Sequence, residues 1–287
     1  MMNERYVDLH THTIVSDGTG TPADNVRLAR EAGLYAVAIT DHDTIAGLKE
    51  AEAAGQRLGV VVVPGVELST VAEGKDIHVL GYYMDTGDDL FLSRLEELRS
   101  VRDIRNEMMV SRLRELGMAV TMEELQSRRG SGGAAVTVGR PHIAGLLVEK
   151  GYAVSLRDAF DRYLGEGAAA YVNPPRIRPE TAVEWIHEAG GAAVLAHPGL
   201  YGKDALVEKL AAGGLDGIEA YHSDHCEDDV ERYLGVAKRH GLLVTAGSDY
   251  HGERNGAVFH GALGSRRIST GVLEELKTRA AAYRMNR

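Results

Sequence analysis

Short β-rich runs alternate with helical patterns along most of this chain, and that alternation constrains the fold more than any other feature. "YVDL" at 6–9 is followed by "PADNVRLAREAG", where Pro22 marks a helix start and Gly33 its end. "YAVAIT" at 35–40, a helix through "TIAGLKEAEAAGQRLG", "VVVV" with "GVELST" at 60–70 and "IHVLGYY" at 77–83 come next. The pattern resumes with "AAVLA" at 192–196, a helix near 203–213, "GIEA" at 217–220, a helix near 227–240 and "LLVTAG" at 242–247. About seven strands with helices mostly between them predict an α/β parallel arrangement. A further helix over 270–284 after the last strand favours a barrel over an open sheet.

Residues 88–170 break this rhythm. "LFLSRLEELRSVRDIRNEMMVSRLRELG" has long helical periodicity, "SRRGSGGAAVTVG" at 127–139 has loop composition, and "RPHIAGLLVEKGY" and "LRDAFDRYLGEG" predict two more helices. The chain therefore divides into a barrel domain over 1–87 and 171–287 and an inserted helical domain over 88–170. The insertion holds 12 Lys/Arg against 11 Asp/Glu within 91–170, while the whole chain has a net charge of −10.

That acidic balance argues against a sequence-independent grip on long nucleic acid. Runs such as "VVVV" are far too short to span a bilayer, and the opening "MMNERYVDLH" carries no apolar stretch of signal-peptide type. Cys226 is the only cysteine, so no intrachain disulfide forms, and a reducing, cytoplasmic setting is expected.

Imidazoles and carboxylates fall where the predicted strands end. His10 and His12 follow the first strand, two residues apart and so on one side of an extended chain. Asp41, His42 and Asp43 follow the second. Glu67 lies in the third strand region, His78 opens the next, and His197 follows "AAVLA". Glu219 closes "GIEA", and Asp249 and His251 follow the last strand. In barrels of alternating strands and helices this is the face where catalytic groups converge. Polar strand ends or core histidines explain one such position but explain the whole set poorly, and a polynuclear metal centre is expected.

Together, "DLHTHTIVSDG", "ITDHDT", "GVELS", "HVLGY", "AHPG" and "GSDYH" resemble the PHP (polymerase and histidinol phosphatase) family of metal-dependent phosphoesterases, from about residue 6 to 251. The resemblance implies a distorted (β/α)7 barrel holding two or three divalent ions, manganese ahead of iron or zinc. It implies that His10, His12, Glu67 and Asp249 hold the first, that Glu67 bridges to a second with His78 and His197, and that Asp17, His42 and His251 hold a third. Asp41 would orient neighbouring imidazoles from behind. Such ions would lower the pKa of a bridging water and clamp a phosphoryl oxygen. The insertion and "GRPHIAGLLVEKGY" are similar to members that remove the 3′-phosphate from nucleoside 3′,5′-bisphosphates or trim RNA from its 5′ end. Those members tend to carry arginine where Leu200 stands and a polar residue where Pro141 stands.

The expected substrate is thus a small phosphorylated metabolite, foremost a nucleotide, then a short oligoribonucleotide, then a sugar or cyclic phosphate. Arg99, Arg102 and Arg105 recur at i, i+3 and i+6 of a helix, either as an anion grip or as a solvated face paired with Glu96, Glu97 and Asp103. Arg140 and His142 sit at a predicted helix start, where free N–H groups favour phosphate. His222 and His225 follow a strand end, one as proton donor to the leaving oxygen or both as structural groups. His187 and His240 belong to helix C-termini, and His260 lies beyond the motifs. C–N hydrolysis of the amidohydrolase type typically needs a carbamylated lysine, and no lysine follows a predicted core strand. A non-catalytic metal-binding module would be expected to lack ligands. No membrane contact and no obligate protein partner are indicated.

Overall fold

The computed structural model describes residues 4–128, 135–254 and 257–285, so part of the 127–139 loop lies outside the described residues. The barrel wall runs β1 (Tyr6–Asp8), β2 (Ala36–Ile39), β3 (Val61–Ala72), β4 (Lys75–Tyr82), β5 (Ala192–Leu195), β6 (Gly217–His222) and β7 (Leu243–Gly247). These are neighbours in sequence order, and a short strand, β10 (Ile268–Ser269), lies antiparallel against β1. Just past the ends of β1 and β7 the wall nearly closes. Leu9 N donates to Ala246 O at 3.0 Å, Asp249 N to His10 O at 2.9 Å, and Thr11 bridges to Tyr250.

Helices cover the outside: α1 (Pro22–Glu31), α2 (Leu48–Leu58), α7 (Pro179–Glu188), α8 (Asp204–Ala211) and α9 (Glu227–His240). Pro22 does open α1, behind a capping box in which Thr21 and Asp24 satisfy each other's backbone N–H groups. α10 (Gly271–Arg284) closes the bottom of the barrel.

Strand alternation sorts the wall into two faces. Val37 and Ile39 face α1 and α2, whereas Ala36 and Ala38 join Val7, Leu9, Val63, Leu80, Tyr82 and Val194 in the interior. The same parity puts Glu67, His78 and Glu219 on inward positions above that apolar layer.

The runs at 60–63 and 65–70 form one strand, as the count of seven requires, but one expectation needs correction: the sheet is not all parallel, because β4 runs antiparallel to both β3 and β5. β3 and β4 form a hairpin that turns at Glu73 and Gly74, both at positive φ. The reversal explains His78: it lies in the first half of its strand, yet sits at the same end of the barrel as residues that end theirs, paired with Ser69.

Reversal of β4 also returns the chain to the bottom of the barrel, and α3 (Asp89–Glu115) climbs back along its side. At 27 residues it is about 40 Å long. Its lower part puts Phe91, Leu95 and Leu98 against the outer faces of β3 and β4, and its upper part puts Met109, Val110 and Leu113 into a separate apolar cluster. That cluster is completed by α4 (Met122–Gln126), α5 (Arg140–Glu149), α6 (Leu156–Ala159) and a π-helical turn over Phe160–Leu164.

Candidate metal centre

The strand ends deliver their side chains to one point. The Nε2 atoms of His10 and His12 lie 3.1 Å apart. Glu67 is the hub: its Oε1 is 2.8 Å from His78 Nδ1 and 3.1 Å from His197 Nε2, and its Oε2 is 2.9 Å from His42 Nδ1 and 3.3 Å from His12 Nε2. Asp249 Oδ1 is 3.1 Å from His12 and 3.3 Å from His10. Asp17 lies 3.2 Å from His251, 3.6 Å from His42 and 3.7 Å from His12. All nine residues predicted as ligands converge. Their donor atoms cluster as His10–His12–Glu67, as His42–Glu67–His78 and as Asp17–His42–His251 joined by His12, while Asp249 groups with His10 and with His222, which was not predicted as a ligand.

These groups are packed too closely to satisfy one another. His42 Nδ1 and His78 Nδ1 lie within 3 Å of Glu67 oxygens, yet neither makes an aligned hydrogen bond. Asp17 Oδ1, Glu67 Oε2, Asp249 Oδ1 and His197 Nδ1 are likewise buried without a hydrogen-bond partner. Two facing imidazole nitrogens at 3.1 Å must share a proton or a cation. The donor atoms aim at common points between them, and a mixed imidazole and carboxylate set fits borderline first-row divalent ions.

Burial disfavours charge on every group here, but the carboxylates outlast it. Surrounding imidazoles hold Glu67, Asp17 and Asp249 well below the ordinary carboxylate range despite desolvation. Burial pulls His42 and His197 down to about 4 and keeps them neutral. His12 is buried as deeply, yet the Asp249 and Glu67 carboxylates beside it raise it to about 10.

Backbone strain collects at the same place. His197, Asp249, Asp43 and His260 are four of the six non-glycine residues at positive φ among the described residues. Gly247 has no room for a Cβ, because His10 and Glu219 press against it.

A second layer orients the first. Both oxygens of Glu219 lie 3.1–3.2 Å from His10 Nδ1, and Oε2 accepts from His197 N at 2.9 Å. That fixes Nδ1–H on His10 and leaves Nε2 facing the cluster. Glu219 was visible in the sequence only as a strand end; its inward parity on β6 is the signal that assigns it. Asp41 reaches a ring only at second hand. It accepts from Thr13 N, Thr13 Oγ1 and Ser16 Oγ at 2.8, 2.7 and 2.5 Å, bracing the 13–16 turn, and Ser16 Oγ in turn lies 3.4 Å from His12 Nδ1.

The proton-donor reading of His222 and His225 does not fit their surroundings. His225 donates from Nδ1 to Ala220 O at 2.9 Å and accepts at Nε2 from Gly199 N at 3.0 Å, so the backbone uses both nitrogens. His222 is fully buried, accepts at Nδ1 from Asp224 N at 3.1 Å and faces Asp249 Oδ2 through Nε2 at 3.3 Å. Neither lines the cavity. His260 does, with Nδ1 2.5 Å from Asp224 Oδ2, although nothing in its local sequence marks it. His187 and His240 pair with Asp216 and Glu208, as structural groups do.

Over the cluster opens a cavity of about 240 Å³, walled on one side by Arg102, Arg105 and Arg140. Arg102 makes two bonds to Asp43 Oδ2, at 2.9 and 3.1 Å, and a third to Ser69. Arg105 is 4% exposed, its Nε has no hydrogen-bond partner among the described residues, and Asp76 attracts it. Burial, with Arg140 and Arg102 beside it, depresses its pKa. Arg140 donates to Asp76 at 2.6 Å, and Asp76 also holds Arg176, which the sequence did not single out. Arg99 points elsewhere, bonding Asp43 O at 2.9 Å outside this cavity. His142 caps its own helix, accepting from Gly139 N at 3.1 Å, and does not line the cavity.

Comparison with known proteins agrees with this geometry. The PHP domain model matches residues 8–253. The chain is 37% identical over 251 residues to the 5′-3′ exoribonuclease Rnm of Escherichia coli, covering 85% of this chain and 84% of that one. It is 35% identical to the 3′,5′-nucleoside bisphosphate phosphatase of Chromobacterium violaceum, covering 87% and 88%. It is 33% identical to a phosphoribosyl 1,2-cyclic phosphate 1,2-diphosphodiesterase of Eggerthella lenta, covering 86% and 94%. Among solved structures, a Bifidobacterium adolescentis protein provisionally named a metal-dependent phosphoesterase superposes with a TM-score of 0.86 at 34% identity, over 95% and 96% of the two chains. The sequence motifs, the convergent histidines and these likenesses together show that the chain belongs to the PHP family of metal-dependent phosphoesterases.

Proposed function

We propose that this chain is a cytoplasmic, multinuclear phosphomonoesterase that removes the 3′-phosphate of nucleoside 3′,5′-bisphosphates. The observation that carries the reading is Arg105 in the wall of the cavity above the histidine cluster, a guanidinium 4% exposed whose Nε has no hydrogen-bond partner among the described residues and whose attracting carboxylate, Asp76, already bonds Arg140 and Arg176. A buried cation that shares one carboxylate with two other arginines is costly. A phosphate that is bound but not cleaved would relieve that cost. Arg140 flanks the same wall, whereas Leu200, 48% exposed at the cavity, offers no charge, so the second phosphate rests on Arg105 and Arg140.

His10, His12, Asp17, His42, Glu67, His78, His197, Asp249 and His251 would hold two or three divalent ions, manganese first. When bound, these supply Lewis acidity toward the scissile phosphoryl group and a water of lowered pKa. Glu219 keeps His10 in one tautomer and Asp41 stiffens the turn that carries Asp17. The arginine wall orients the substrate and neutralises its remaining charge. C–N hydrolysis has less support, because no lysine lines the cavity among the described residues.

The test is kcat/KM of the parent and Arg140→Ala on adenosine 3′,5′-bisphosphate and on p-nitrophenyl phosphate. Loss of a charge-assisted contact worth about 1.5–3 kcal/mol lowers bisphosphate turnover about tenfold or more. The simple ester loses much less. Equal losses, or no turnover of the bisphosphate beside brisk hydrolysis of another phosphoester, would overturn the reading. A second reading, 5′ trimming of short RNA, is favoured by the exoribonuclease likeness at 37% identity. A 5′-phosphorylated dinucleotide turned over faster than the bisphosphate would select it.

A further inference from the structure

Phenylalanine is scarce here, three in 287 residues, and two of the three line the cavity. Phe91 is in the core. Phe160 comes from the π-helical turn of the insertion, packed against that unit's apolar cluster, with the Arg140 guanidinium 5.8 Å from its ring centroid. Phe259 follows the β8–β9 hairpin (Glu253–Arg254 with Ala257–Val258) on the barrel rim. It remains 36% exposed, its ring centroid 4.3 Å from that of His260. One ring is therefore supplied by each half of the molecule.

The cavity joins groups that one simple anion would not use together. The histidine cluster and the arginine wall suit phosphate, but inorganic phosphate gains nothing from aromatic faces, and a sugar ring lacks the flat π-face that stacks on them best. An exposed phenylalanine beside histidines and arginines forgoes burial unless something flat and apolar covers it. A ligand with anionic groups at one end and a planar heterocycle at the other uses both parts. Bases stack on aromatic rings because each has a π-face, and such contacts tolerate any base identity.

We propose that Phe160 and Phe259 are the base-binding residues of this site, holding the purine ring of a nucleotide while its uncleaved phosphate lies toward Arg105 and Arg140 and its 3′-phosphate over the histidine cluster. This inference rests on the nucleotide reading above and adds the residues that distinguish a nucleotide from a base-free phosphoester.

The test compares adenosine 3′,5′-bisphosphate with 1,4-anhydroribitol 3,5-bisphosphate, which keeps the sugar and both phosphates but lacks the base. The parent is expected to prefer the nucleotide by about tenfold or more in kcat/KM. Phe160→Leu and Phe259→Leu keep apolar volume but remove the flat face, and each should cut that preference about fivefold or more, through KM rather than kcat. Phe160→Trp should preserve it. Equal use of both compounds by the parent, or an unchanged preference in both leucine variants, would overturn the inference and leave the nucleotide reading standing. Losses of the same size on both compounds would assign the rings to packing, which also overturns it. Hydrolysis of neither bisphosphate, beside turnover of another phosphoester, would overturn the nucleotide reading and this inference with it.

Discussion

The two sides of the cavity are built by opposite means. On the barrel side, the nine metal-type ligands arrive from six different strands, and their positions depend on the register of the whole wall. On the insertion side, the cationic wall comes largely from one helix, where spacing along a single stripe decides everything. Phe91, Leu95 and Leu98 lead into Arg102 and Arg105, and the stripe continues with Met109 and Leu113. The first design fixes chemistry, because no single strand can shift alone. The second leaves recognition open to change, because one substitution on the helix alters the wall without touching the ligand set.

If the contrast is right, the largest loss should come from the barrel hub. Glu67→Gln removes the carboxylate shared by the histidines, and kcat should fall by at least about a hundredfold, more than an outer partner costs. Elemental analysis should show the parent carrying more than one transition metal per chain and the variant fewer, with the circular dichroism melt still cooperative. Turnover within tenfold of the parent would mean the centre lies elsewhere.

Glu219→Gln should cost about ten- to a hundredfold in metal affinity, read by activity against added Mn²⁺. Excess metal should rescue it, as it should not rescue Glu67→Gln.

On the insertion side, Arg105→Ala should raise KM for the bisphosphate about tenfold with metal content unchanged. Arg99→Ala, outside the cavity, should stay within about twofold of the parent. Equal effects from the two would erase the stripe argument.

The smallest effect is on acid stability. Burial works against charge on Asp76, but Arg140, Arg176 and Arg105 hold its carboxyl well below the usual value of 3.8. Its stabilisation is therefore present above about pH 4 and fades as pH falls further. In metal-free protein, Asp76→Asn should lower the melting temperature by a few degrees at pH 6, and the gap should narrow toward pH 3.

What the sequence made legible follows the same division. Strand ends carry most ligands within a few residues of a recognisable β-run, so a convergent cluster could be anticipated without the fold, while the full set of nine, Asp17 included, rested on the PHP resemblance. The direction of β4 was legible only through His78, since a ligand that opens a strand belongs on the ligand face only if that strand runs the other way. The arginines were ambiguous because their own spacing was weighed without their neighbours. Extending the apolar positions Phe91, Leu95 and Leu98 forward lands on Arg102 and Arg105 and misses Arg99. His260 and Arg176 have no local signature, and only long-range packing brings them to the site. His222 and His225 show the converse: a suggestive motif whose nitrogens the surrounding backbone and Asp249 already occupy.

The reversed strand has one more consequence, for how such a chain can change over generations. Because β4 leaves the cavity, α3 starts at the far end of the barrel and must regain the cavity with its arginines in phase. One residue gained or lost between Leu98 and Arg102 would rotate everything beyond it by about 100° and slide it by about 1.5 Å. Arg102 would swing away from Asp43, and Met109 and Leu113 would leave their cluster together. The helix thus acts as a gauge that tolerates changes of letter but not of length, and new substrate preferences must come by substitution at a fixed count of residues.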